Sequence, residues 1–159
     1  NKARAKLKKA VDPGQIRQFT GNDYAPPLAK GDLAAAMSWS GDIAQLGNKH
    51  IHWNLATDGG DTWTDNMLIP TTASHAANAM ALIDYYYDPK VAAELAAWVN
   101  YVCPVAGAQD EMTKIDPDLA ANPLIFPNAE TQAKIKIFKP LTEAEEKEYE
   151  GKFQAAIGA

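Results

Sequence analysis

Two short stretches set an indole ring close to a carboxylate: Trp39 with Asp42, and Trp63 with Asp65. An indole face attracts an ammonium group by about 0.5–2 kcal/mol. An ionised carboxylate takes charge-assisted hydrogen bonds from the same group. Together the two residue types suit an organic cation, and a neutral sugar could stack on the same rings. The second pair is the sharper signal. Residues two apart on a strand share one face, so Trp63 and Asp65 are expected to line a common surface with Met67 and Ile69. The bland reading stands beside it: tryptophan is common sheet filler, Asp65 could satisfy turn backbone, and Asp42 could be no more than the first-turn acid of a helix.

Other chemistry is sparse. The chain has no Gly-rich phosphate loop, no Gly-x-Ser-x-Gly elbow and no His-Glu-x-x-His, so no enzyme signature is found and no catalytic residue or cofactor is assigned. His50 and His52 alternate on one strand face but lack a third ligand at suitable spacing, so no metal site is expected. His75, beside Ser74, reads as part of a helix start. The single cysteine, Cys103, reads as a small packed apolar residue rather than a nucleophile. Tyr85, Tyr86 and Tyr87 cannot all face one side of a helix, and no function is assigned to them.

The elements that would position these residues follow from period and punctuation. Ala3, Leu7 and Val11 share a helical stripe that Pro13-Gly14 ends. Ile16 to Phe19 reads as extended, and Asp23 to Lys30 as a helix stopped by Gly31. Leu33 to Trp39 is an almost wholly apolar run, predicting a strand buried on both faces, after which Ser40-Gly41-Asp42 opens a helix to about Leu46. His50 to Ala56 reads as a strand, Asp58 to Asp61 as a turn, and Thr62 to Pro70 as a second extended run. From Ser74, taken as N-cap, the period turns helical with Ala76, Met80, Ile83 and Tyr87 on one face. Asp88-Pro89 starts another helix, whose buried stripe is expected to be Val91, Leu95, Trp98 and Val102. Five prolines between residues 104 and 140 break up any long element there. Thr142 and Glu145 have capping-box spacing at the start of a last helix bearing Tyr149, Phe153 and Ile157, with its run of glutamates as the solvated face.

Composition narrows the class. The 159 residues are 47% hydrophobic and 22% charged, ordinary values for a soluble globular domain. No apolar run approaches the ~18 residues of a membrane-spanning helix. The net charge is −5, and basic residues cluster only at Lys2, Arg4, Lys6, Lys8 and Lys9, so nucleic acid is not an expected partner.

Beyond composition, the chain resembles the spermidine/putrescine-binding components of ABC importers, within the bilobal periplasmic binding-protein superfamily. The resemblance rests on Tyr24 with Leu28-Ala29-Lys30-Gly31-Asp32, on Ala36-Met37-Ser38-Trp39-Ser40-Gly41-Asp42, and on Gly59-Gly60-Asp61-Thr62-Trp63-Thr64-Asp65-Asn66-Met67-Leu68-Ile69-Pro70. Ala79 through Tyr87 with Asp88-Pro89-Lys90-Val91-Ala92 is similar to the family's paired helices, and Asn122-Pro123 with Phe126-Pro127 to its late loop.

The resemblance implies an α/β fold: the C-terminal portion of a bilobal binding protein with a helix-rich C-terminal end. Residues 1–61 would finish the second lobe, and residues 62–159 would return to the first. It implies a polyamine ligand, membrane permease subunits as partners, and a periplasmic or extracellular location, with any lipid anchor in the missing N-terminal region. Trp39 and Trp63 would stack on the methylene chain, Asp42 and Asp65 would take the ammonium groups, and Tyr101 would match a cleft tyrosine. Phe138 stands where some relatives have a polar amide, and Ala56-Thr57-Asp58 where a Pro-Lys-Glu is frequent. A site built from this portion alone is expected to be incomplete. A receptor for another small solute such as a sugar, an α/β enzyme fragment using a histidine, and a purely structural domain are the competing readings.

Overall fold

A computed structural model describes residues 2–158. Their contacts divide the chain into two compact units, one within residues 1–23 and 138–159, the other spanning Tyr24–Ile137.

The first unit pairs two helices, α1 (Lys2–Val11) and the C-terminal helix Glu143–Ile157. Helix α1 ends as its sequence demands, with Gly14 at positive φ. The expected capping box forms: the Thr142 hydroxyl accepts from the Glu145 N–H, and the Glu145 carboxylate accepts from the Thr142 N–H. These bonds, with the Lys139 ammonium 2.9 Å away, hold the Glu145 carboxyl below the usual glutamate range. Of the expected stripe, Phe153 meets Phe19 edge to face at 5.7 Å, while Tyr149 stays exposed.

The second unit holds seven further α-helices among the described residues: α2 (Ala25–Lys30), α3 (Ser40–Leu46), α4 (Ala76–Tyr86), α5 (Pro89–Val99), α6 (Ala108–Ile115), α7 (Pro117–Ala120) and α8 (Ala129–Lys134). The C-terminal helix is α9. Two strands, β1 (Gly60–Thr62) and β2 (Ile135–Ile137), pair in parallel with Gly60 opposite Ile135 and Thr62 opposite Ile137. Parallel partners require a long crossover, supplied here by α4 to α8. Gly59, at φ 104°, is needed at the entry to β1, because a Cβ there would collide with the Lys134 carbonyl.

The α/β class expected from the sequence is present, with far less sheet than expected. Leu33–Trp39 and His50–Ala56 form no strand, and the run from Thr62 keeps only Thr62 in β1. A strand exists by pairing, and among the described residues no neighbouring strand hydrogen-bonds these segments. Burial on both faces of Leu33–Trp39 fails accordingly: Met37 is 98% exposed. The segment is held instead by Trp53, whose indole N–H donates to the Ser38 carbonyl at 3.1 Å.

Helix α5 corrects a second expectation. Asp88 caps it through the N–H groups of Lys90 and Val91, and Pro89 occupies its first turn, as its sequence implies. Its buried face, however, is Ala92, Ala93 and Ala96, packed with Ala108, Met112, Ala120 and Ile125. Leu95 and Val102 remain exposed, and Trp98 is 83% exposed. Alanine faces let helices approach closely, and interaxial distance follows side-chain size. Cys103 packs partly buried against this cluster, as the apolar reading expects. Helix α4 begins one residue later than expected: His75, not Ser74, precedes its first turn, and neither caps it through its side chain.

Candidate functional site

The sequence of α3 explains the site around it. Trp39 sits at the N-cap position in extended conformation, Ser40 opens the helix, and Asp42 falls in its first turn, where the helix dipole favours a negative charge. Asp42 does not spend its oxygens on capping. Oδ2 accepts the Tyr24 hydroxyl at 2.6 Å, and Oδ1 accepts the Tyr101 hydroxyl at 2.7 Å. The Tyr24 oxygen in turn accepts the backbone N–H of Trp39 at 2.9 Å.

Tyr101 arrives from the far end of α5. Asn100 leaves that helix in left-handed conformation, its side-chain amide donating to the carbonyls of Ala97 and Trp98. Gln45 of α3 donates to the Val99 carbonyl at 3.0 Å, tying the two helices at this point. The Tyr101 ring then lies flush on Gly41. A Cβ at residue 41 would stand 2.6 Å from the ring's Cδ2 and Cζ, so only glycine admits it.

Burial raises both phenols, and the Asp42 carboxylate beside them raises them further: Tyr24 is pushed up to about 12, and Tyr101 is also raised. Both are therefore neutral hydroxyl donors at physiological pH. Two of the carboxylate's roughly four lone-pair sites are thus filled. Among the described residues no Lys, Arg or His pairs with Asp42, leaving its charge uncompensated by any cation.

The two indoles converge. The Trp39 and Trp63 rings stand 4.5 Å apart between centroids at 62°, an edge-to-face pair, and each residue is 41% exposed. Both therefore keep surface available to a ligand. Trp63 has already left β1, which ends at Thr62. The period-two face expected for Trp63, Asp65, Met67 and Ile69 does not form, since this stretch has no strand partner among the described residues. Asp65 is exposed there. The five residues singled out from the sequence thus fall into two joined pairs, Trp39 with Trp63 and Asp42 with Tyr101, with Asp65 outside both.

Sequence reasoning gave Tyr24 no role. It lies fifteen residues before Trp39 and eighteen before Asp42, a separation that carries no local signal. His50 and His52 are exposed, and among the described residues no group of three or more metal-ligating side chains gathers. No described helix is long and apolar enough to cross a membrane.

The bacterial extracellular solute-binding proteins match this chain over residues 1–127. The chain belongs to that family. Among individual relatives, the putrescine/agmatine-binding protein of Pseudomonas aeruginosa is 29% identical over 126 residues, covering 74% of this chain and 34% of the relative. The spermidine/putrescine-binding periplasmic protein of Salmonella typhimurium is 27% identical over 121 residues, covering 75% and 34%. A putrescine-binding periplasmic protein of Escherichia coli is 27% identical over 133 residues, covering 78% and 35%. The chain therefore spans about a third of the length of the curated relatives it matches. No solved structure matches it significantly.

Proposed function

We propose that this chain is part of a periplasmic or extracellular receptor that binds a polyamine, putrescine or spermidine, and delivers it to the membrane permease subunits of an ABC importer. In this reading residues 1–61 close one lobe and residues 62–159 return to the other. Ligand exchange follows rigid-body opening of the two lobes rather than a chemical step.

One observation carries the proposal. The half-exposed Trp39–Trp63 pair adjoins, through Tyr24, a carboxylate that holds two hydroxyl donors and, among the described residues, no Lys, Arg or His partner. Methylenes laid against the indoles would gain about 0.8 kcal/mol each, roughly 3 kcal/mol for a four-carbon spacer. An ammonium group losing its water needs a carboxylate to offset desolvation, and Asp42 supplies one. Asp65 takes a second ammonium when the complete groove closes, and Tyr101 lines the groove while holding Asp42. The names of the three relatives above point to the same ligand class.

A thermal-shift panel on the receptor containing this chain tests the reading. Putrescine or spermidine should raise the midpoint, and neutral sugars should not. A shift produced by a sugar alone would replace the polyamine with a neutral solute.

A further inference from the structure

Resting on that reading, we propose that Tyr24 is the positioning residue of the cation site: its single hydroxyl fixes Asp42 and Trp39 in the arrangement that receives the ligand. Tyr24 is 6% exposed, while the indoles it serves are 41% exposed, so it acts from behind the surface rather than on the ligand. Its oxygen has two jobs at once. It accepts from the Trp39 N–H at 2.9 Å and donates to Asp42 Oδ2 at 2.6 Å.

Trp39 and Asp42 straddle the first turn of α3, and an indole at the N-cap position offers no side-chain acceptor to organise that turn. The buried phenol holds this turn from outside the helix instead, through the Trp39 N–H and the Asp42 carboxylate. With Tyr101 on the opposite oxygen and its ring against Gly41, the carboxylate is gripped from two directions. Such over-determination keeps an anion oriented before the ligand arrives, so little ordering remains to be done on binding.

A double-mutant cycle on the receptor containing this chain separates positioning from general support. Putrescine affinity is measured by calorimetry for the unsubstituted protein, Tyr24→Phe, Asp42→Asn and the double variant. Tyr24→Phe keeps the ring and should weaken binding about tenfold, the effect of one hydrogen bond to a charged group. Asp42→Asn should weaken it more. In the Asp42→Asn background, Tyr24→Phe should cost clearly less than in the unsubstituted protein, because only its hold on the Trp39 N–H remains to be lost. Equal losses in both backgrounds, or no loss from Tyr24→Phe alone, would overturn the positioning role while leaving polyamine binding intact. Failure of the unsubstituted receptor to bind putrescine or spermidine would overturn both. If Tyr24→Phe fails to fold, ¹³Cζ-tyrosine spectra of the unsubstituted receptor give the same answer. Putrescine should move two tyrosine signals, those of buried Tyr24 and half-buried Tyr101, and movement of only one would count against the proposal.

Discussion

Two regions of the 24–137 unit are held together by different means. Around Met112 and Ile125, helices α5, α6 and α7 meet through alanines and two fully buried larger side chains. Around Asp42, the short α3 and its flanking loops bury Tyr24, Gly41 and Ile43, and hydroxyl, indole and amide groups of Tyr24, Tyr101, Trp53 and Gln45 add directed bonds. Apolar burial supplies free energy without direction. Hydrogen bonds supply direction with a small net gain. A binding surface has to keep its side chains exposed and still fix them, and only the second means does both.

The contrast breaks most visibly in the alanine core. Met112→Ala should lower unfolding stability by about 2–5 kcal/mol, the usual cost of emptying a filled site, and chemical denaturation would read it. Ligand affinity of the folded fraction should not change. A loss under 1 kcal/mol would mean that the cluster is looser than its burial indicates.

Alkaline pH attacks the other region selectively. The neutral form of Tyr24 is the favoured one, with its titration raised from 10.0 to about 12. Its contribution is therefore complete below pH 10 and disappears as pH climbs through about 12, a loss on the order of 3 kcal/mol over two units at about 1.4 each. Urea midpoints should stay flat in this respect from neutral pH to 10 and fall beyond it, and Tyr24→Phe should soften the fall. An identical decline in that variant would show that Tyr24 is not its source.

Gly41→Ala sharpens the comparison further. Alanine favours a helix over glycine by up to about 1 kcal/mol, so global stability should move little. The new Cβ displaces the Tyr101 ring and its bond to Asp42 Oδ1, and polyamine affinity should fall about tenfold. Unchanged affinity would detach Tyr101 from the site.

Local grammar was legible in the sequence, and pairing was not. Gly31 and Gly14 stop their helices, Asp88-Pro89 starts one, and Thr142 with Glu145 closes a capping box, because each depends on residues within one turn. The strands expected at Leu33–Trp39 and His50–Ala56 depend on neighbours that the described residues do not provide. The stripe through Leu95 and Trp98 failed for a related reason: period identifies a face, while the partner decides whether large or small residues enter it. At the site, the indoles and Asp42 were visible from residue type alone. Their convergence rests on Trp39 meeting Trp63 across twenty-four residues of chain, and Tyr24, which the resemblance included without a role, gained its bonds to Asp42 and Trp39 only through the fold.

The most direct test compares putrescine with 1,4-butanediol, a chain of equal length without charge, by calorimetry on the receptor containing this chain and on its Asp42→Asn variant. Charge recognition at Asp42 predicts binding of the diamine, none of the diol, and a loss of more than tenfold in diamine affinity when the carboxylate becomes an amide. Diol binding as tight as the diamine's, or a dissociation constant untouched by Asp42→Asn, would contradict it.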